Sequence, residues 1–309
     1  MRDMGSCVGE YAIQLSDSSS SSSSTFFHTQ SSVPSIQIQV SSVYTIIPSK
    51  SNHLITISVT WTKTSCTFNF GEDPSTSISI QFNTNSTSLF RKNKKKNNKG
   101  NRSFKFRNSE IDIIWDLSSA KYENLGPEPV SRFYVLIMVD SELGLKLGDM
   151  ADEAVSRKFK NRVLVAKCLL VSRRENFLGN SDVRLMKAKF SENGSPHEVS
   201  IRFGREKLGL RSPTLSVWID RKNVIRVKRL QWNFRGNQTI FLDGLLIELM
   251  WDVHDWFFAG AGDGAGASVG GVFMFRSRSK GVDSRLWMEA DLMNQKDEFS
   301  LVICAANCS

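Results

Sequence analysis

A chain of 309 residues with 40 Lys+Arg against 31 Asp+Glu, formal net charge +9, has room for one large domain or two small ones. Apolar residues at 40% can supply a core, and only 7 prolines exclude a collagen-like or proline-rich protein. No apolar run approaches the ~20 residues that a membrane-spanning helix needs.

Residues 1–32 read as a separate tail. Its serine tract, running from Ser18 to Ser24, offers too little apolar surface to order itself. Met1-Arg2-Asp3-Met4 opens no apolar stretch of signal-peptide type, and Arg2 stands where myristoylation needs glycine. From Val33 the text is strand-like. Leu54–Trp61, Thr76–Phe82, Phe104–Phe106, Ile111–Trp115 and Phe133–Val139 come first. Asp149–Lys160 follows as the one good helix, with Asp149 placed to cap it and Met150, Ala154, Val155 and Phe159 near helical spacing. Strands then resume at Val163–Val171, Val183–Phe190, His197–Phe203, Thr214–Ile219 and Val224–Phe234. Thr239–Leu242, Leu245–Trp251, Val272–Phe275 and Phe299–Cys304 complete the set. Glu192-Asn193-Gly194, Asp220-Arg221-Lys222-Asn223 and Asp243-Gly244 carry hairpin chemistry. The pattern predicts a mainly all-β fold with one or two short helices, an antiparallel β-sandwich or open barrel built as a single domain over 33–306.

Sliding the chain on itself until Lys99 meets Arg235 gives an ungapped match between about 77–142 and 213–278. Lys99-Gly100-Asn101 falls on Arg235-Gly236-Asn237, and Ile111–Asp116 falls on Ile247–Asp252, ending in Trp-Asp each time. Two such units packed face to face would bury each other's apolar faces in one sandwich, with Gly-Asn as the turn that opens each unit.

Five widely spaced cysteines, Cys7, Cys66, Cys168, Cys304 and Cys308, suit free thiols in a reducing compartment, and neither a metal nor a cofactor is expected. Trp251-Asp252-Val253-His254-Asp255-Trp256 is the densest group of chemically capable side chains. Read as a strand it sets Asp252 and His254 on one face, a pairing that could orient a base, while no nucleophile elbow completes a triad. The favoured reading is structural, with the two indoles packing. Asp116 holds the matching place in the first unit, but Ser118 replaces His254. Glu128, between Pro127 and Pro129, must face outward or find a partner. The glycine-rich stretch 260–266 lacks the spacing and the lysine of a phosphate loop.

The sharpest signal is basic. Arg91, Lys92, Lys94, Lys95, Lys96, Lys99, Arg102, Lys105 and Arg107 fall in one stretch that holds no acid, and they account for the whole net charge. Arg91–Lys99 reads as a projecting loop that ends in a Gly100-Asn101 turn. Its functional reading is contact with an anionic membrane surface, and nucleic-acid contact is less favoured because no aromatic interleaves it. The expected compartment is the cytoplasm or the cytoplasmic face of the plasma membrane, with the nucleus next. The expected role is a non-enzymatic interaction scaffold with an unidentified protein partner. A small-ligand-binding or hydrolytic protein with its site at His254 is the alternative.

Several longer strings carry a family likeness: Ile111–Lys121, Gly126-Pro127-Glu128-Pro129, Leu147–Met150, Val171–Glu175, Phe234–Ile240 and Trp251–Trp256. Together, and over about Val33 to Ala305, they resemble the plant-specific domain-of-unknown-function family eight-six-eight. The resemblance implies a plant, intracellular, β-rich single domain and transfers no catalytic residue. The serine tract and the asparagine-laced basic loop depart from the family pattern.

Overall fold

The computed structural model describes residues 35–49, 53–71, 76–84, 98–123, 126–160, 162–179, 182–191, 194–205, 213–258, 269–278 and 299–306. The serine-rich tail, the basic residues 91–96 and the glycine-rich stretch 260–266 lie outside them.

Alternation of apolar and polar residues builds the first strands. β1 (Ile36–Ile47), β2 (Ile55–Thr62), β3 (Ser65–Phe70) and β4 (Ile78–Asn83) form a meander. In β2, Ile55, Ile57, Val59 and Trp61 turn inward while the threonines and Ser58 between them do not. Facing the meander is a second sheet made of β5 (Lys99–Phe106), β6 (Ser109–Asp116), β9 (Tyr134–Val139), β10 (Glu142–Leu147) and β11 (Leu164–Val165). β7 (Lys121–Tyr122) and β8 (Pro129–Ser131) pair on their own. Trp61, Phe68, Phe70, Ile111, Ile113 and Ile137 meet in the first core. Each such buried side chain contributes roughly 1.5–3 kcal/mol of hydrophobic stabilisation.

β9 departs from alternation because both its faces are covered. Val135, Ile137 and Val139 enter the first core, while Tyr134, Leu136 and Met138 lie under helix α1 (Ala151–Phe159). Ala151 and Ala154 let α1 approach closely, and Glu153 pairs with Arg157 one turn on at 3.8 Å. The helix sits where the apolar spacing predicts, but its cap does not. Met150 is the N-cap and its thioether supplies no side-chain bond, while Asp149, one residue earlier, accepts the Phe133 N–H at 3.2 Å.

The second half of the chain gives β12 (Lys167–Leu178), β13 (Asp182–Ala188), β14 (His197–Arg205), β15 (Pro213–Ile219) and β16 (Lys222–Val227). β17 (Arg235–Leu242), β18 (Leu245–Asp252), helix α2 (His254–Phe258), β19 (Val269–Arg278) and β20 (Ser300–Ala306) follow. β13–β16 make a four-stranded sheet. The remainder joins the first meander in a nine-stranded sheet of order β17-β18-β19-β20-β12-β1-β2-β3-β4. The β12–β20 and β10–β11 pairs are parallel, and every other recorded pairing is antiparallel. The fold is thus all-β and sandwich-like: one long sheet carries a smaller sheet over each half. The second core, with Val199, Ile201, Leu215, Val217, Leu249 and Phe273, lies between β13–β16 and the β17–β20 half.

This layout corrects the expectation that the two similar units pack on each other. β5–β6–β9 and β17–β18–β19 do occupy the matching stretches of sequence, and their registers agree, with Gly100 opposite Trp115 and Gly236 opposite Trp251. They belong to different sheets and different cores. Each apolar face is covered by a meander instead. The Gly-Asn pairs are also not turns but lie inside β5 and β17. Glycine is needed there because the facing indole lies over it: a Cβ would come within 2.9 Å of Trp115 at Gly100 and 2.3 Å of Trp251 at Gly236. The real turns are Asp140-Ser141, Asp220-Arg221 and Asp243-Gly244, each with two successive positive φ angles. The second is therefore two residues long, and Lys222 and Asn223 already belong to β16.

Candidate functional site

The strand β18 stops at Asp252, so Asp252 and His254 do not share a strand face. Val253 is buried, and its N–H donates to the Phe234 carbonyl at 2.9 Å, bending the chain into α2. Asp252 then receives the His254 backbone N–H at 3.1 Å on one carboxylate oxygen and the Arg235 guanidinium at 2.8 Å on the other. Burial pushes its carboxyl up, but these donors outweigh burial and hold it below the usual carboxylate range. The His254 ring contacts the Asp255 carboxylate at 2.9 Å and meets Phe234 edge-on at 5.2 Å. Trp251 donates from Nε1 to the Asn233 carbonyl at 3.1 Å. Trp256 stacks on Phe203 with centroids 4.6 Å apart and closes over Gly270. Both indoles are packed, and Asp252 is spent on the backbone and on Arg235. Asp255 is the carboxylate that orients His254.

The first half repeats this arrangement without the histidine. Asp116 accepts the Ser118 backbone N–H at 3.1 Å and the Lys99 ammonium at 2.9 Å. Leu117, like Val253, is buried, and its N–H donates back to the Asn98 carbonyl.

Of the basic tract, Arg91, Lys92, Lys94, Lys95 and Lys96 lie outside the described residues. Lys99 begins β5, so the tract continues onto a strand rather than ending in a turn. Among the described strands β5 is an edge of its sheet. Lys99 is taken by Asp116, and the Arg107 guanidinium lies over the Phe106 ring at 5.2 Å. Arg102 and Lys105 are exposed, and no described acid pairs with either.

Two polar groupings escape sequence reasoning. Glu128 finds its partner in Arg173, whose Nη2 donates to it at 2.6 Å while Nε donates to Glu175 at 2.7 Å. Gln37 donates to the second Glu175 oxygen at 2.5 Å. Glu175 is buried, and Arg173 pairs with Ser42 across the β1–β12 ladder, where the long sheet passes from the first core to the second. Burial opposes charge on Arg173, but the two carboxylates more than offset it and raise its pKa. Tyr44 nearby is pushed up to about 12 by burial and then by Glu128. A signal existed in the alternation of Arg173 and Glu175 on one strand face; the link to Glu128, distant in sequence, did not show.

The other grouping is His197, buried between two turns. Its Nδ1 lies 2.6 Å from Asp220 and its Nε2 3.0 Å from Asp243. Burial lowers its pKa, but the two carboxylates prevail and raise it. An imidazole with a carboxylate on each nitrogen satisfies both only as the doubly protonated cation. It fastens the β15–β16 turn to the β17–β18 turn, and so the two sheets of the second sandwich, beside a cavity of about 330 Å³. Asp220 and Asp243 were legible as turn residues only.

Among the described residues no group of three or more His, Cys, Asp or Glu could hold a metal ion. No described helix is long and apolar enough to cross a membrane. No curated protein and no solved structure matches the chain. The strings that tie the fold together, Gly126–Pro129 with Val171–Glu175 and Phe234–Ile240 with Trp251–Trp256, all fall within residues 35–307, the span that matches the family described as plant protein of unknown function (DUF868), and the chain belongs to that family.

Proposed function

We propose that this protein is a non-enzymatic interaction scaffold that meets an anionic membrane surface through its basic segment. The observation that carries the reading is the acid-free stretch from Arg91 to Arg107, which continues onto β5, an edge among the described strands, with Arg102 and Lys105 exposed and unmatched by any described acid. Each such cation near an acidic bilayer contributes about 1 kcal/mol, an attraction screened over ~8 Å at physiological salt. The rest of the fold, two cores built on one long sheet, supplies the platform. Its most chemically capable group, Asp252 with His254 and the two indoles, is committed to local contacts.

Co-sedimentation with phosphatidylserine-containing vesicles tests this. Binding is expected to fall as salt rises, and to fall in two variants, K94Q/K95Q/K96Q and R102Q/K105Q, whose melting temperatures stay at the parent value. Binding that ignores salt and both variants, or no binding to acidic vesicles at low salt, rejects the reading. Loss of a ligand-binding or hydrolytic activity in His254→Ala, with the fold intact, would favour the alternative site instead.

A further inference from the structure

The outer face of β5–β6–β9 and the C-terminal end of α1 enclose an open cavity of about 410 Å³, within the ~300–1,000 Å³ range of small-molecule sites. Its apolar wall comes from both layers: Ile114 and Met138 from the sheet, Phe159 and Val163 from the helix end and the segment after it. Its charged groups are one of each sign. Asp112 stands on β6, and Arg162 follows the helix. The lining is therefore electrically neutral but polarised.

The same sheet face recurs in the second half of the chain, and the comparison shows what is particular here. There Asn237, Glu248, Met250 and Met274 take the places of Asn101, Asp112, Ile114 and Met138. Asn237 donates its amide to Glu248 at 3.1 Å, so that polar pair closes on itself. In the first half the acid is one carbon shorter. Among the described residues Asp112 accepts only the Ser103 hydroxyl, on one oxygen, and the Asn101 amide has no described partner. The pair is open, and the end of α1 roofs it.

We propose that this cavity binds a free α-amino acid with a large apolar side chain. The ammonium group sits at the open oxygen of Asp112, the carboxylate on the Arg162 guanidinium, and the side chain against Ile114, Met138, Phe159 and Val163. A zwitterion matches one carboxylate and one guanidinium, whereas a ligand with a single charge leaves one of them uncompensated. The Asn101 amide gives a further hydrogen bond to the ligand. The inference is independent of the membrane reading.

Isothermal titration of the full chain with L-phenylalanine, L-phenylalaninamide and N-acetyl-L-phenylalanine tests it. The free amino acid is expected to bind at least tenfold more tightly than either capped form, each of which lacks one charge. Asp112→Asn should abolish the penalty for losing the ammonium, and Arg162→Gln the penalty for losing the carboxylate. Each variant should weaken L-phenylalanine about tenfold or more. Equal affinity for the three ligands, or no heat from L-phenylalanine with the parent protein, overturns the proposal. Unchanged L-phenylalanine affinity in both variants does the same, and the capped-ligand comparison needs no variant to fold.

Discussion

The hairpins β5–β6 and β17–β18 share a strand register and a frame that runs from Gly-Asn to Trp-Asp, yet the indole of the first is buried and that of the second only partly so. Each places an indole over a glycine, an acid beside a base on the neighbouring strand, and a buried aliphatic residue after the acid. In the first, Trp115 is 8% exposed and stacks on Phe82 with centroids 3.9 Å apart. In the second, Trp251 is only partly buried and spends its N–H on a backbone carbonyl. α1 covers the outer face of the first triplet, whereas the described helix that packs against the second is the five-residue α2, at the end of β19. A shared local frame yields the same strand register; the neighbour decides what the pair is worth. Common descent of the two hairpins is our proposal for the shared register.

Truncating the two indoles separates the halves most. Trp115→Ala should cost about 3–5 kcal/mol, in the range of buried aromatic truncations, and Trp251→Ala clearly less. Urea unfolding of both variants measures the difference, and equal losses would erase the contrast. Adding a methyl group under each ring is next. Gly236→Ala should cost about 1–3 kcal/mol by overpacking, and Gly100→Ala less, since its Cβ starts farther from the indole. The reverse order in thermal unfolding would show that Trp251 yields more easily than its contacts suggest. The shared cap gives a smaller, matched effect: Asp116→Ala and Asp252→Ala each remove the acceptor for the N–H two residues ahead, about 0.5–2 kcal/mol apiece. A large inequality between them would mean that the helix after Asp252 depends on its cap in a way the turn after Asp116 does not.

The smallest effect belongs to the second half alone. His197 has a raised pKa in the fold, so the stability it confers is complete below its unfolded value of about 6.5 and is lost as pH rises through the folded value. Asp220 is lowered, chiefly by its bond to His197, so its contribution is present above the unfolded value and lost in acid. The amplitude is modest because both carboxylates are about half exposed, 49% and 48%. The urea midpoint should decline from pH 6 to pH 9 in the parent and stay flatter in His197→Gln. Equal slopes would show that the bridge carries no linkage.

Much of this was legible from local pattern. Alternation in Ile55–Trp61 marks β2, helical spacing marks α1, and Asp243-Gly244 marks a two-residue turn. What misled were residues whose local meaning has two answers. Gly100 and Gly236 read as turn glycines because glycine suits turns; in the fold they make room for an indole on the next strand. Asp149 reads as a helix cap because it precedes the helix, but the Phe133 N–H, from before β9, competes for the same carboxylate. His254 reads as a strand neighbour of Asp252, and the burial of Val253 bends the chain between them.

From the sequence alone came the mainly β character, many of the strand segments, the helix α1, the concentration of charge between Arg91 and Arg107, and the internal match, because each is written in the order of residues along the chain; β1, β3, β10 and α2 were not read from it. The tertiary structure alone decided that the matching units lie in separate cores, that Glu128 answers Arg173, that His197 spans Asp220 and Asp243, and that Asp112 and Arg162 face one cavity. Those contacts join residues far apart in sequence, and their partners are chosen by the order of strands in the sheets, which periodicity along one strand does not encode.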